Sequence, residues 1–141
     1  GKLQNAWAFE AAAGKAVWQK PIGGSQPWIL RGETFLHQGG TVFETRSGKP
    51  TGVQISTSRG GCNYVVGGEH LLFLRDRSAS YIDLRTIQKQ ALYAVRSGCS
   101  NSLIAADGLL NVPCFAVGCV CNYPIQTSFA LVHTPDLAGA R

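Results

Sequence analysis

The residues in this chain best suited to chemistry are its five cysteines, Cys62, Cys99, Cys114, Cys119 and Cys121. Three of them crowd together as Cys114-x4-Cys119-x-Cys121. Such a cluster can hold a thiolate-loving metal, exchange disulfides or form structural bridges. Zinc sites usually space a cysteine pair by roughly two to four residues. A Cys-x-Cys step does not match that, and His37, His70 and His133 are scattered. No Cys-x-x-Cys-His haem attachment is present. The metal reading therefore narrows to a small module with Cys119, Cys121 and Cys114 as ligands, best suited to thiolate-bound copper. The leading expectation is disulfides in an oxidising compartment, with plain buried thiols behind it. Residues two apart on a strand share a face, so Cys119 and Cys121 can each reach a different neighbour. Cys62 and Cys99, each just after a glycine and before a new strand, are their natural partners, with Cys114 left over. Both possible pairings remain open.

Nothing else in the sequence assembles a catalytic residue set. His37 sits at a strand end beside Gly39-Gly40, His70 in a turn and His133 near the C-terminal end, none within a Gly-x-Ser-x-Gly setting. They are expected as surface or turn histidines. Glu10, Glu44 and Asp83 recur at one repeat position, which marks them as turn hydrogen-bonders and not as acids or bases. Gly39-Gly40 and Gly67-Gly68 are expected hairpin turns, with no helix after them to cradle a phosphate. No acidic cluster suits Ca2+, which wants several oxygen ligands together. Trp7, Trp18 and Trp28 are expected to pack between strands, with Trp28, after Pro27, at an exposed edge that is the best hint of a partner surface. Net charge is +5 and the isoelectric point about 9.1. The arginines 59, 75, 77, 85 and 96 are dispersed, which predicts a generally basic surface and no nucleic-acid footprint.

The elements that must carry these residues repeat. Phe9-Glu10-Ala11-Ala12-Ala13-Gly14-Lys15 and Phe43-Glu44-Thr45-Arg46-Ser47-Gly48-Lys49 both read Phe-Glu-x-x-x-Gly-Lys, 34 residues apart. A faded third copy, Ile82-Asp83-Leu84-Arg85-Thr86-Ile87, follows 39 residues later, with Ile87 at the glycine position. A fourth is due near Val120-Cys121-Asn122-Tyr123. A period of this length fits propeller blades as well as helical repeats, and the local pattern decides. Only 5–20 is Ala-rich enough to suggest a helix, and Gly14 with Val17 and Trp18 points to a hairpin instead. Strands are expected at 34–37 and 41–45, at 64–66, 71–74 and 79–84, and at 103–106 and 109–112. Asp107-Gly108 between apolar runs is a strong hairpin signal. Hydrophobic residues make up 45% of the chain and charged ones 15%, below the roughly 25% usual for soluble domains, and there are 17 glycines. That composition suits short strands and tight turns, and excludes a disordered tail. Leu71–Leu74 and Val112–Val120, the longest apolar stretches, fall far below the roughly 18 residues of a membrane span. With no Met, the chain is expected to be a piece or a processed product of a longer one.

The repeat unit 6–18, an aromatic-flanked strand, an acidic residue, a turn closing on Gly-Lys and a strand ending in Trp18, resembles the blade signature of pyrroloquinoline-quinone-type β-propellers. Arg59-Gly60-Gly61-Cys62, Tyr81-Ile82-Asp83-Leu84, Arg96-Ser97-Gly98-Cys99 and Gly118-Cys119-Val120-Cys121-Asn122-Tyr123 with Gln126-Thr127-Ser128 resemble the C-terminal blades of quinoprotein-like propeller proteins of planctomycete-type bacteria. The resemblance implies an all-β chain of about three four-stranded antiparallel blades plus an outer hairpin, part of a larger propeller. The approximate repeats are 1–28, 29–57, 58–98 and 99–135, with a tail at 136–141. It implies Gly14 and Trp18 as a blade-docking pair, a periplasmic or secreted location, and a partner over the open blade faces, either the remainder of the propeller or another subunit. The expected role is a non-catalytic, disulfide-stapled scaffold. The alternatives are part of a quinone-dependent dehydrogenase or other enzyme with its active site upstream, or the small cysteine metal module. No cofactor is expected in this chain, and quinone or Ca2+ would belong only to a full-length parent.

Overall fold

The computed structural model describes residues 4–24, 27–58, 60–99, 102–114, 118, 120–122 and 127–134. The chain is all-β, with no helix among the described residues. It divides into two compact units, residues 1–58 and 59–141.

The first unit holds a two-stranded sheet of β1 (Ala6–Phe9) and β2 (Ala16–Lys20). It also holds a four-stranded sheet in the order β3 (Ile29–Arg31), β4 (Thr34–Leu36), β5 (Thr41–Glu44) and β6 (Pro50–Gln54). The second unit holds a four-stranded sheet of β7 (Val66–Gly67), β8 (Leu71–Asp76), β9 (Ser78–Asp83) and β10 (Gln88–Leu92). Beside it lies a three-stranded sheet of β11 (Ile104–Ala106), β12 (Leu109–Val112) and β13 (Phe129–Val132). Every pairing is antiparallel and joins neighbours in sequence. These are meanders, the arrangement that short connections favour.

The repeat is visible in backbone geometry. The Gly14 N–H donates to the Glu10 carbonyl at 2.8 Å, the Gly48 N–H to Glu44 at 2.8 Å and the Ile87 N–H to Asp83 at 2.7 Å. The three donors share a left-handed backbone, with φ of 64°, 60° and 57°. A glycine takes that conformation freely, and a β-branched residue does so at a cost. The β1–β2 and β5–β6 pairs also share a register irregularity beside the turn. The helix-like composition of 5–20 is overridden by this turn, so the segment is a hairpin. Asp107 and Gly108, with φ of 50° and 77°, form the two-residue turn that their identity predicts.

The fourth copy departs from expectation. Val120 lies in coil and Cys121-Asn122 in a bend. The third strand of that sheet is β13, reached only after a long connection from β12.

In the second unit Phe73 and Ala79, on one face of the β8–β9 hairpin, pack with Val112 of the neighbouring sheet and with Leu103, just before β11, flanked by Tyr81, Leu110, Phe129 and Leu131. On the opposite face Leu72, Leu74 and Ile82 are also buried. A strand buried on both faces carries a continuous apolar run and not an alternating one, which accounts for Leu71-Leu72-Phe73-Leu74.

Candidate functional site

Two clusters gather side chains from distant parts of the sequence, one in each unit. In the first unit, Phe35 of β4 stacks on Phe43, its cross-strand partner, with ring centroids 5.1 Å apart. It also stacks on Trp28 at 5.2 Å and Trp18 at 6.1 Å. Trp18 projects from β2 onto the β5–β6 turn. Its indole N–H donates to the Thr45 carbonyl at 2.9 Å. A Cβ at Gly48 would stand 3.0 Å from three atoms of the indole. The glycine that receives Trp18 is therefore Gly48, in the next repeat. Gly14, expected as its docking partner, has open space where a Cβ would be. The reason is geometric: a strand residue meets the turn of the following sheet, not the turn that precedes it in its own hairpin. An open cleft of about 540 Å³ runs beside these rings, lined by Trp7, Phe9, Trp18, Trp28, Leu30 and Phe35. Trp28 is half-buried on Phe35, and the exposed indole is that of Trp7.

The second cluster centres on Arg75, at the end of β8. It was expected to contribute to a basic surface, but both Arg75 and Arg96 are fully buried. Arg75 shares a face with Phe73, so strand alternation sends its side chain inward. Its Nη2 donates to the Cys121 carbonyl at 3.0 Å, and its Nη1 lies 3.7 Å from the Cys99 sulfur. Its Nε–H has no hydrogen-bond partner among the described residues. The sulfurs of Cys99 and Cys121 are 3.6 Å apart.

Three segments meet at this arginine. From the first, the Gly61 backbone presses on the Arg75 side chain, and a Cβ there would come within 2.9 Å of its Cδ. From the same segment, the Asn63 amide donates to the Ser97 hydroxyl and, at 3.3 Å, to the Gly98 carbonyl. That joins it to the second segment, 96–99. From the third, the Asn122 amide donates to the Gly60 carbonyl at 2.8 Å. The motifs Gly60-Gly61-Cys62, Arg96-Ser97-Gly98-Cys99 and Cys121-Asn122 thus converge on the β8–β9 hairpin end.

The other candidates are placed as follows. Cys62 is exposed and Cys114 buried. No disulfide joins two described cysteines. Cys119, Arg59 and Gln126 lie outside the described residues, and Cys121 lies in a bend and not on the strand expected to carry it. No group of three or more metal-ligating side chains occurs among the described residues. His37 accepts from the Gly39 N–H at Nδ1, 3.0 Å away, and meets the Gly23 carbonyl through Nε2. It is a loop-organising histidine. His70 is exposed beside Glu69, and His133 is exposed. Glu44 accepts from the Ser47 hydroxyl at 2.5 Å. Asp83 accepts from the Arg85 backbone N–H at 2.8 Å and from its guanidinium at 2.9 Å. The guanidinium hydrogen bond, helped by the backbone one, holds the Asp83 carboxyl down at about 2 from an ordinary 3.8. Both acidic residues organise turns.

Sequence reasoning missed Arg75, Asn63 and Asn122. For Arg75 a signal was present, an arginine in phase with the inward face of an apolar strand.

Comparison with protein-family models, curated proteins and solved structures finds no match for this chain. No helix among the described residues is long and apolar enough to cross a membrane.

Proposed function

We propose that this chain supplies consecutive blades of a larger β-propeller of the quinoprotein-like kind, acting as a non-catalytic scaffold in an exported protein. The observation that carries this reading is the turn repeated at Gly14, Gly48 and Ile87 with one hydrogen bond and one backbone conformation. It recurs on antiparallel sheets of up to four strands. A repeated small sheet cannot bury both faces alone and is stabilised by stacking on its neighbours. The Trp18–Gly48 contact and the Phe73–Val112 core are two such stacking contacts, each within one unit. The open aromatic cleft beside Trp7 and Phe9 is the face that the remainder of the propeller, or another subunit, covers. Disulfide staples suit a periplasmic or secreted setting.

Electron microscopy of the full-length parent tests the reading. The expected particle is a disc with a central channel. A particle with no annular density would sink it.

A further inference from the structure

We propose that Cys99 and Cys121 form a disulfide bond, closed by exchange with a low-molecular-weight disulfide, and that Arg75 positions the two sulfurs for it. The proposal rests on the exported-scaffold reading only for its supply of oxidant. Spacing in the sequence leaves two pairings open, and among the described residues the geometry brings the sulfurs of one of these pairs, Cys99 and Cys121, together. The sulfurs lie 3.6 Å apart, at van der Waals contact. Bond formation closes that gap to about 2.05 Å. Both residues are accessible, Cys121 exposed and Cys99 partly so, so a small oxidant reaches them.

Arg75 is a positioning residue here. Its two terminal nitrogens address the Cys99 sulfur and the Cys121 carbonyl, segments 22 residues apart. A guanidinium is a planar, rigid fork, so fixing its plane fixes both partners. Burial fixes the plane: the side chain is 0% exposed and seated against the Gly61 backbone. Asn122 anchors the residue after Cys121 to the Gly60 carbonyl.

The chemistry balances. One thiolate of the pair attacks a sulfur of the small disulfide and expels one small thiolate. The second protein thiolate attacks the resulting mixed disulfide and expels the other. The two protons lost by Cys99 and Cys121 end on the two released small thiols.

The test uses the whole chain treated with oxidised glutathione, alkylated and cut before aspartate without reductant. The fragment 83–106 carries Cys99 alone, and 107–135 carries Cys114, Cys119 and Cys121. The expected result is a link between these fragments that survives in Cys119→Ser and is lost in Cys121→Ser. A link lost in Cys119→Ser and kept in Cys121→Ser overturns the pairing, as does a link from Cys99 to Cys62 or no link at all. In folded Arg75→Lys, bond closure should slow several-fold while the fragment map stays the same. An unchanged rate removes the role given to Arg75. A non-annular parent particle would leave the link map standing, and a failed link map would leave the annulus untouched.

Discussion

At the scale of single residues, Trp18 and Gly48 separate two costs usually confounded in a turn glycine. Gly14 and Gly48 share a left-handed backbone, so alanine at either pays the same conformational penalty, about 1 kcal/mol. Only at Gly48 does the new methyl meet an indole. Gly48→Ala should therefore cost about 1–2 kcal/mol more than Gly14→Ala, measured as the difference between their urea midpoints at unchanged slope. Equal losses would mean that the indole does not depend on that glycine. Asp83 makes a prediction in pH. Its carboxyl titrates at about 2 in the folded chain against 3.8 in the unfolded one, so its contribution is fully present above pH ~4 and is lost as the pH falls toward ~2. The stability gap between the native chain and Asp83→Asn should close over that window. A gap that persists well below pH ~2 would assign the effect to something other than the charge.

At the scale of elements, the same turn built on Ile87 carries strain that the glycine copies avoid. A β-branched residue at φ 57° costs roughly 1–2 kcal/mol. Ile87 is also 40% exposed, so its side chain has little packing to lose. Ile87→Gly should raise stability by about 1 kcal/mol, read as an upward shift in thermal midpoint. The inner strands were legible because their side chains are buried and carry a hydrophobic signal. Leu71–Leu74 and Ser78–Asp83 are of this kind. The outer strands β6 and β10 were not, whereas β11 was found through the Asp107-Gly108 turn that follows it. β6 reads Pro-Thr-Gly-Val-Gln with every residue exposed, and β10 opens Gln-Lys-Gln. Backbone bonds to an inner neighbour hold them, and no side-chain pattern announces such bonds. The same limit hid the candidate site. The cysteines could be named from composition, but the contact between the Cys99 and Cys121 sulfurs depends on a bend at Cys121 that follows no strand pattern. Arg75 looked like surface charge until the parity of its strand turned it inward.

At the scale of the whole molecule, the Cys99–Cys121 link would close a loop of 22 residues in a unit whose sheets meet, among the described residues, through the apolar cluster around Phe73 and Val112. A bond of that span should contribute about 3 kcal/mol. Reductant should then lower the thermal midpoint of the oxidised chain by several degrees, and Cys121→Ser should abolish that dependence. A midpoint indifferent to reductant would make the link energetically idle. The two-stranded sheet has a different consequence. β2 carries Lys20 and follows Lys15, charges that discourage further pairing, whereas β1 is Ala-Trp-Ala-Phe with no charge at all. Uncharged, aromatic-bearing sheet edges act as templates for foreign strands. Assembly therefore has a direction, and strands should add on the β1 side and be refused on the other. Trp7→Lys should accordingly suppress concentration-dependent self-association, followed by light scattering, more than Val17→Lys does.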